Sequence, residues 1–280
     1  MRIRVAHSPD SDDAFMFYAM TMGKIDMEGF EVEHVLADIE TLNREALKGT
    51  YEVSAVSFHA YPYIADKYLV LPSGGSVGDG YGPIVVSIQS LNTIKGKKVA
   101  VPGRLTTAYL LLKLYEPEFE EVVLPFDRII EAVLEGLVDA GLVIHEGQLS
   151  YEEKGLKKFV DLGKWWKEQT GLPLPLGCNV IRRDLGMENI RKFERLMRAS
   201  IEYALNHWEE ALSFALEYAR DIRDDLQKTK RFVSMYVNER TLDYGEDGRQ
   251  AVKLLLQKGV EKGIIKADMP HIIFSDEVLS

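Results

Sequence analysis

The chain has little that would cross-link it, anchor it or draw it to a polyanion. Only one of its 280 residues is a cysteine, Cys178. No intrachain disulfide can form, which suits a reducing compartment. No window approaches the roughly 20 consecutive apolar residues of a membrane helix. The opening MRIRVAHSPD holds no apolar stretch of the length a secretory signal uses. A soluble, cytoplasmic protein with no membrane partner is expected. Positive charge is also short: 34 Lys and Arg stand against 44 Asp and Glu, a net charge of −10. That balance argues against nucleic acid as the main partner, but not against a small anion held by backbone N–H groups. The six histidines are scattered without zinc-like spacing, so no metal is expected.

Short apolar runs alternate with helical patterns, the grammar of an α/β protein. RIRVAH (2–7), FEVEHVL (30–36), EVSAVSF (52–58) and PIVVSI (83–88) read as strands. Residues 11–23 and 39–49 read as helices, each closed by a glycine. The pattern restarts with strand and turn at 97–103, a helix at 105–115, the strand EVVLPF, a helix at 127–136 and a strand at 138–145. Beyond about residue 186 it is almost wholly helical. No low-complexity linker intervenes, so two lobes joined by extended crossings fit best. The expected division is 1–88 with 185–280 as the first lobe and 89–184 as the second. Crossings are expected near 86–92 and 177–184, with the C-terminal helices mostly on the first lobe.

One internal echo links the halves. LKGTYEVSAVSFH (47–59) aligns without gaps on LEGLVDAGLVIHE (134–146), matching Gly49 to Gly136 and Glu52 to Asp139. Each copy ends a helix at glycine and enters an apolar strand with a polar group at its carboxyl end. Ligands of open α/β sheets bind at that edge. The echo therefore predicts that Ser57 and His145 face each other across one cleft.

Four further stretches bear on chemistry. HSPDSDDAFMFYAM (7–20) crowds Asp10, Asp12 and Asp13 at a helix start. Helix capping explains them as well as a cleft does. We read Asp12 and Asp13 as first-turn charges, Ser8, Pro9 and Asp10 as a turn on the cleft wall, and His7 beside it as a second polar candidate. A Mg²⁺ site on the three aspartates lacks any distant carboxylate partner. VPGRLTTAYLLL (101–112) puts Thr106 and Thr107 at a helix start, either as ordinary caps or as part of an anion site. PSGGSVGDGYGP (72–83) is neither a Walker A loop nor a Rossmann fingerprint. It reads as a flexible hairpin, or as backbone that closely approaches a ligand near a crossing. GLPLPLGCNVIRRDLG (171–186) reads as an extended return, and Trp165 and Trp166 before it as packing. His145 ends an apolar strand, where an imidazole can be a structural hydrogen-bonder or a base poised near neutral pH.

In order, SPDSDDAFMFYAM, VSFHAY, SGGSVGDGYGP, VPGRLTTAYLLL, AGLVIHE and TGLPLPLG resemble the 1,4-dihydroxy-6-naphthoate synthases, the MqnD family of the futalosine route to menaquinone. The similarity covers most of residues 5–186. It implies a two-lobed, type II periplasmic-binding-protein-like α/β fold with an interlobe cleft. It implies a cytoplasmic carbon–carbon lyase without cofactor that cleaves cyclic dehypoxanthine futalosine, a small carboxylate, to 1,4-dihydroxy-6-naphthoate and dihydroxyacetone. It also implies His145 as general base, with Ser57, Thr106 and Thr107 lining the substrate site; Ala55, Val56, Ser8 and Asp10 are expected beside them on the substrate. The opening motif departs from the family's Ser-Pro-Cys-Pro-Asn-Asp-Thr-Phe: Asp12 stands for an asparagine and Ala14 for a threonine. The added charge would repel a carboxylate pointed at it, so either the substrate's carboxylate lies elsewhere, near Thr106 and Thr107, or the ligand differs. A chorismate dehydratase-like enzyme of the same fold and a non-catalytic small-anion binding protein are the rival readings.

Overall fold

The computed structural model describes residues 1–219 and 222–278. Its first half alternates as the sequence pattern predicts: β1 (Arg2–His7), α1 (Ser11–Thr21), β2 (Glu31–Leu36), α2 (Ile39–Lys48) and β3 (Val53–Ser57). A 3-10 turn, Phe58–Tyr63, and two short strands follow, β4 (Tyr68–Val70) and β5 (Ser76–Gly78). The second half runs β6 (Ile84–Ser87), β7 (Lys98–Val101), α3 (Thr107–Tyr115), β8 (Glu120–Val123), α4 (Ile129–Leu134), β9 (Ala140–Val143), β10 (Lys157–Asp161) and α5 (Leu162–Thr170). The chain then returns through β11 (Leu174–Arg182) to α6 (Met187–Asn206), α7 (Trp208–Ala215), α8 (Leu226–Tyr236), α9 (Glu239–Leu242) and α10 (Gly245–Glu261).

The strands form two sheets of one design. The first has the order β2-β1-β3-β11-β4, with β5 on another part of β11; the second has the order β10-β6-β9-β7-β8. In the first, β1 pairs in parallel with β2 and β3, and β11 lies antiparallel to β3. In the second, β7 pairs in parallel with β8 and β9, and β6 lies antiparallel to β9. The internal echo is this repetition. Gly49 and Gly136 both adopt left-handed φ, +74° and +70°, where a side chain is strained. Glu52 accepts the Arg4 N–H at 3.0 Å, and Asp139 accepts the Lys98 N–H at 2.8 Å. The matched acids therefore tie β3 to β1 and β9 to β7, a structural duty.

The sheet changes fall elsewhere than expected. β6 pairs with β9 and β10, and β11 pairs with β3, β4 and β5. The chain thus changes sheets at 79–83 and 171–173, not at 86–92 and 177–184. The boundaries at 88/89 and 184/185 put β6 and the whole of β11 in the wrong halves. Both are apolar strands, and periodicity does not say which sheet an apolar strand joins. At the first crossing the Tyr81 backbone lies against Gly78 and against Gly163 in the first turn of α5; a Cβ on either glycine would overlap the Tyr81 carbonyl.

The core of the first half packs Ile3, Val5, Phe15 and Phe17 against Phe193 and Leu196 of α6. Most C-terminal helices cover this half, but α8 also reaches the other. Tyr236 donates to Gln148 Oε1 at 2.9 Å, and Lys228 pairs with Glu153. Trp166 is fully buried and donates to the Pro173 carbonyl at 2.9 Å, a packing role. Among the described residues no helix is long and apolar enough to cross a membrane.

Candidate active site

Between the sheets lies a cleft with about 150 Å³ of space open to water. It opens at the carboxyl ends of β1 and β3, the N-terminal ends of α1 and α3, and the start of β11. Hydrogen bonds join the halves around it: Ser11 Oγ donates to Glu146 Oε1 at 2.6 Å, Leu105 N to Glu40 Oε2 at 3.1 Å, and Thr107 Oγ1 to the Leu176 carbonyl at 2.6 Å. The cleft is therefore closed over its floor.

Of the residues expected at the site, Ser8, Asp10, Ala55, Val56, Ser57, Thr106 and Thr107 all line this cleft. Ser57 is held by a neighbour the sequence did not reveal. Its N–H donates to Asn43 Oδ1 at 2.8 Å, which fixes the amide, and Asn43 Nδ2 then donates to Ser57 Oγ at 3.2 Å. The Ser57 hydroxyl is an acceptor on that side and keeps its proton for a ligand.

The threonines behave differently. Thr106 is the N-cap of α3: its hydroxyl accepts from Tyr109 N at 3.2 Å and donates to the Gly103 carbonyl at 2.8 Å. The Thr107 hydroxyl donates to Leu176 and accepts from His59 N at 3.2 Å. Both hydroxyl protons are committed, so the expected hydroxyl contact with an anion is replaced. What α3 offers is the N–H groups of Thr107 and Ala108 in its first turn, which have no partner within a helix, while Tyr109 N is taken by the Thr106 cap. Thr107→Val should therefore act first on stability. It strands the Leu176 carbonyl and the His59 N–H, and a loss of about 2 kcal/mol in urea unfolding is expected.

The aspartates need correction as well. Asp12 and Asp13 line the cleft together with Asp10, rather than serving only as first-turn charges. Asp10 occupies the N-cap of α1 but makes no side-chain cap bond; Ser8 Oγ donates to it, and Ser8 N donates to Asp13 Oδ2 at 2.7 Å. Burial, then the charges of Asp10 and Glu146, raise Asp12 to about 7. Burial and its two neighbours raise Asp13 well above the usual carboxylate range. No group of three or more His, Cys, Asp or Glu side chains among the described residues is arranged to hold a metal ion.

His145 lies two residues past β9 and caps the 3-10 turn Glu146–Leu149, beside Ile144 and near Gln148, both of which line the cleft; its own ring is not part of the lining. The ring packs edge-on against Phe126, 5.3 Å between centroids, and Nδ1 accepts from Gly147 N at 2.9 Å. An amide N–H only donates, so the neutral ring carries its hydrogen on Nε2. Ser57 lines the cleft, whereas the His145 ring is not among its lining side chains. Sequence reasoning missed Asn179, Gln148, Phe232 and Tyr236 on the cleft wall. Of the glycine-rich loop, Gly74 and Gly75 line the cleft, as close backbone approach requires.

The similarities of the chain agree with this architecture. A family model described as menaquinone biosynthesis matches residues 3–261. The chain belongs to the menaquinone biosynthesis family. A Thermus thermophilus protein named 1,4-dihydroxy-6-naphtoate synthase is 44% identical over 272 residues, 97% of this chain and 98% of that protein. A crystal structure of an Archaeoglobus fulgidus protein superposes with a TM-score of 0.91 at 54% identity, covering 94% of this chain and 98% of the other. A Candida albicans protein described as having the generic periplasmic binding protein fold superposes with a TM-score of 0.69 at 16% identity, over 96% of this chain and 92% of that one. That likeness shows the periplasmic-binding-protein-like fold alone.

In this member of the menaquinone biosynthesis family, His7 stands outside the cleft lining. Its Nδ1–H donates to the Ser8 carbonyl at 3.0 Å, its Nε2 meets His34 Nδ1 at 3.0 Å, and its ring stacks on Phe17. Burial, then His34, lowers it to about 3. Between pH 6.5 and 3 the unfolded chain takes a proton here that the folded chain refuses, so stability falls as pH falls through that window. Asp12 and Asp13 act oppositely, since their raised values let the folded chain hold protons first. The difference between wild type and His7→Gln isolates the histidine. Urea unfolding should show wild type losing about 2 kcal/mol relative to the variant between pH 6.5 and 5.

Proposed function

We propose that the chain is a carbon–carbon lyase that cleaves cyclic dehypoxanthine futalosine to 1,4-dihydroxy-6-naphthoate and dihydroxyacetone. The near full-length identity to a protein named 1,4-dihydroxy-6-naphtoate synthase carries this reading. The polarity of the cleft supports it. Three aspartates crowd one wall, while the other presents the first-turn N–H groups of α3. A ligand with one carboxylate and a neutral polyol part fits that division. Its carboxylate turns to α3, where the helix dipole favours negative charge, and away from Asp10, Asp12 and Asp13.

The substrate binds between the halves, and contacts such as Ser11–Glu146 and Thr107–Leu176 keep water out. Ser57 donates its hydroxyl proton to the substrate and orients it. His145 removes a proton from the sugar-derived part, using Nδ1 after the ring leaves Gly147 N. A retro-aldol-like cleavage follows, the three-carbon ketone departs, and aromatisation of the other fragment draws the reaction forward. No step needs an oxidant or a reductant.

The test is turnover with product identification. Purified protein is incubated separately with cyclic dehypoxanthine futalosine and with chorismate, and products are identified by mass spectrometry. Formation of 1,4-dihydroxy-6-naphthoate with one equivalent of dihydroxyacetone is expected. Dehydration of chorismate, or binding of either compound without consumption, would overturn the assignment.

A further inference from the structure

Three buried polar atoms on or against the Gly74–Gly75 turn have no hydrogen-bond partner among the described residues: Ser73 Oγ, Tyr244 Oη and Asn179 Oδ1. Of the three residues, only Asn179 lines the cleft. It sits on β11 directly opposite Ala55, and Gly177 lies opposite Ser57. Paired residues of an antiparallel ladder project from the same face of the sheet. Ala55, Ser57, Gly177 and Asn179 therefore share one face at the open end of the first sheet, and Gly177 leaves room between the two polar side chains.

The orientation of the Asn179 amide is fixed. Its Nδ2 donates to the Gly74 carbonyl at 2.9 Å, and a carbonyl cannot donate, so the oxygen is the other end of the amide. Gly74 holds φ +87°, and a Cβ there would stand 2.8 Å from that same Nδ2 and 2.5 Å from Met197 Cε. The loop can neither carry a side chain nor turn the amide over. Asn179 is only 1% exposed. A buried acceptor held in place without a donor is costly unless something bound supplies one.

We propose that Asn179 Oδ1 is a substrate contact that accepts a hydrogen bond from a hydroxyl of the ligand's polyol part. The inference rests on the functional reading above and names the group that recognises the non-aromatic end of that substrate. A carboxylate cannot fill the position, because two acceptors would meet. Ser57, with its proton kept for the ligand by Asn43, donates from the same sheet face. One face thus offers a donor and an acceptor together, complementary to a hydroxyl beside a carbonyl or ring oxygen.

Steady-state kinetics on Asn179→Leu and Asn179→Ala test this, with competitive inhibition by 1,4-dihydroxy-6-naphthoate, which lacks the polyol part, as the internal reference. The KM for cyclic dehypoxanthine futalosine should rise roughly tenfold in both variants, as expected for a ligand hydroxyl left without its acceptor. The inhibition constant of the naphthoate should stay within about twofold, on the same energy scale. An unchanged KM overturns the inference. An equal rise in KM and in the inhibition constant also overturns it, since that pattern reports a displaced Gly74–Gly75 turn rather than a lost hydroxyl contact. Wild-type protein that does not consume the substrate overturns the functional reading, and this inference with it; wild-type turnover with unaltered variants overturns this inference alone.

Discussion

His145→Asn is expected to turn over cyclic dehypoxanthine futalosine about 100-fold more slowly than wild type, or worse, while still binding it. Asparagine keeps a polar side chain at the cap of the turn after β9 and can still accept from Gly147 N, so that turn is preserved. What it removes is the imidazole base. The wild-type rate should also fall as pH drops through the imidazole range, because a protonated ring accepts nothing. That acid limb alone does not identify the base, since Asp12, raised to about 7 by burial and its acidic neighbours, lines the cleft and titrates in the same range. The variants separate the two. With His145 as base, Asp12→Asn retains the acid limb and His145→Asn loses it. Near-normal turnover in His145→Asn, with the limb missing from Asp12→Asn, would assign the base to Asp12 instead. His7 is a poor base, since burial and His34 depress it to about 3.

The second large effect concerns folding. Gly163→Ala should destabilise the protein by about 3 kcal/mol, as overpacking against rigid backbone does. Its new Cβ would overlap the carbonyl of Tyr81, in the first crossing between the sheets. That crossing has little freedom to withdraw, because Gly78 lies against the same carbonyl and the Tyr81 hydroxyl is tied to the Met235 carbonyl of α8. The strain falls where the two halves meet, so closure of the cleft should suffer along with stability. Urea unfolding measures the first and KM the second. A variant as stable as wild type would show that the crossing can shift without cost. By contrast, Gly155→Ala is strained only by its left-handed backbone, since nothing stands within 4 Å of its Cβ position.

Much of this architecture is legible in the sequence where a local pattern has one physical meaning. The helix-Gly-acid-strand echo is such a pattern, and it recurs as β3 and β9 with equivalent glycine caps and equivalent acid-to-backbone bonds. Ser57 and the start of α3 were readable because they fall at strand and helix ends, where α/β sheets expose polar groups. The sheet changes were not readable: nothing in β6 or β11 says which sheet each joins, and β4 and β5 are three residues each, too short for a period. Side-chain duties were hidden for another reason. Thr107 at a helix start looks like an anion ligand until Leu176 and His59 are found to occupy its hydroxyl. Asn43 and Asn179 are single amides in a helix and a strand, and neither carries a pattern. Their importance comes from partners 14 and 105 residues away.

All of these residues converge on the space between the two sheets, and a crystal structure of His145→Asn soaked with cyclic dehypoxanthine futalosine examines that space directly. The uncleaved ligand is expected there with its carboxylate on the first-turn N–H groups of α3, Ser57 donating to it, and a polyol hydroxyl on Asn179 Oδ1. Ligand density outside the interlobe cleft, or a carboxylate seated against Asp10, Asp12 and Asp13, would contradict the assignment.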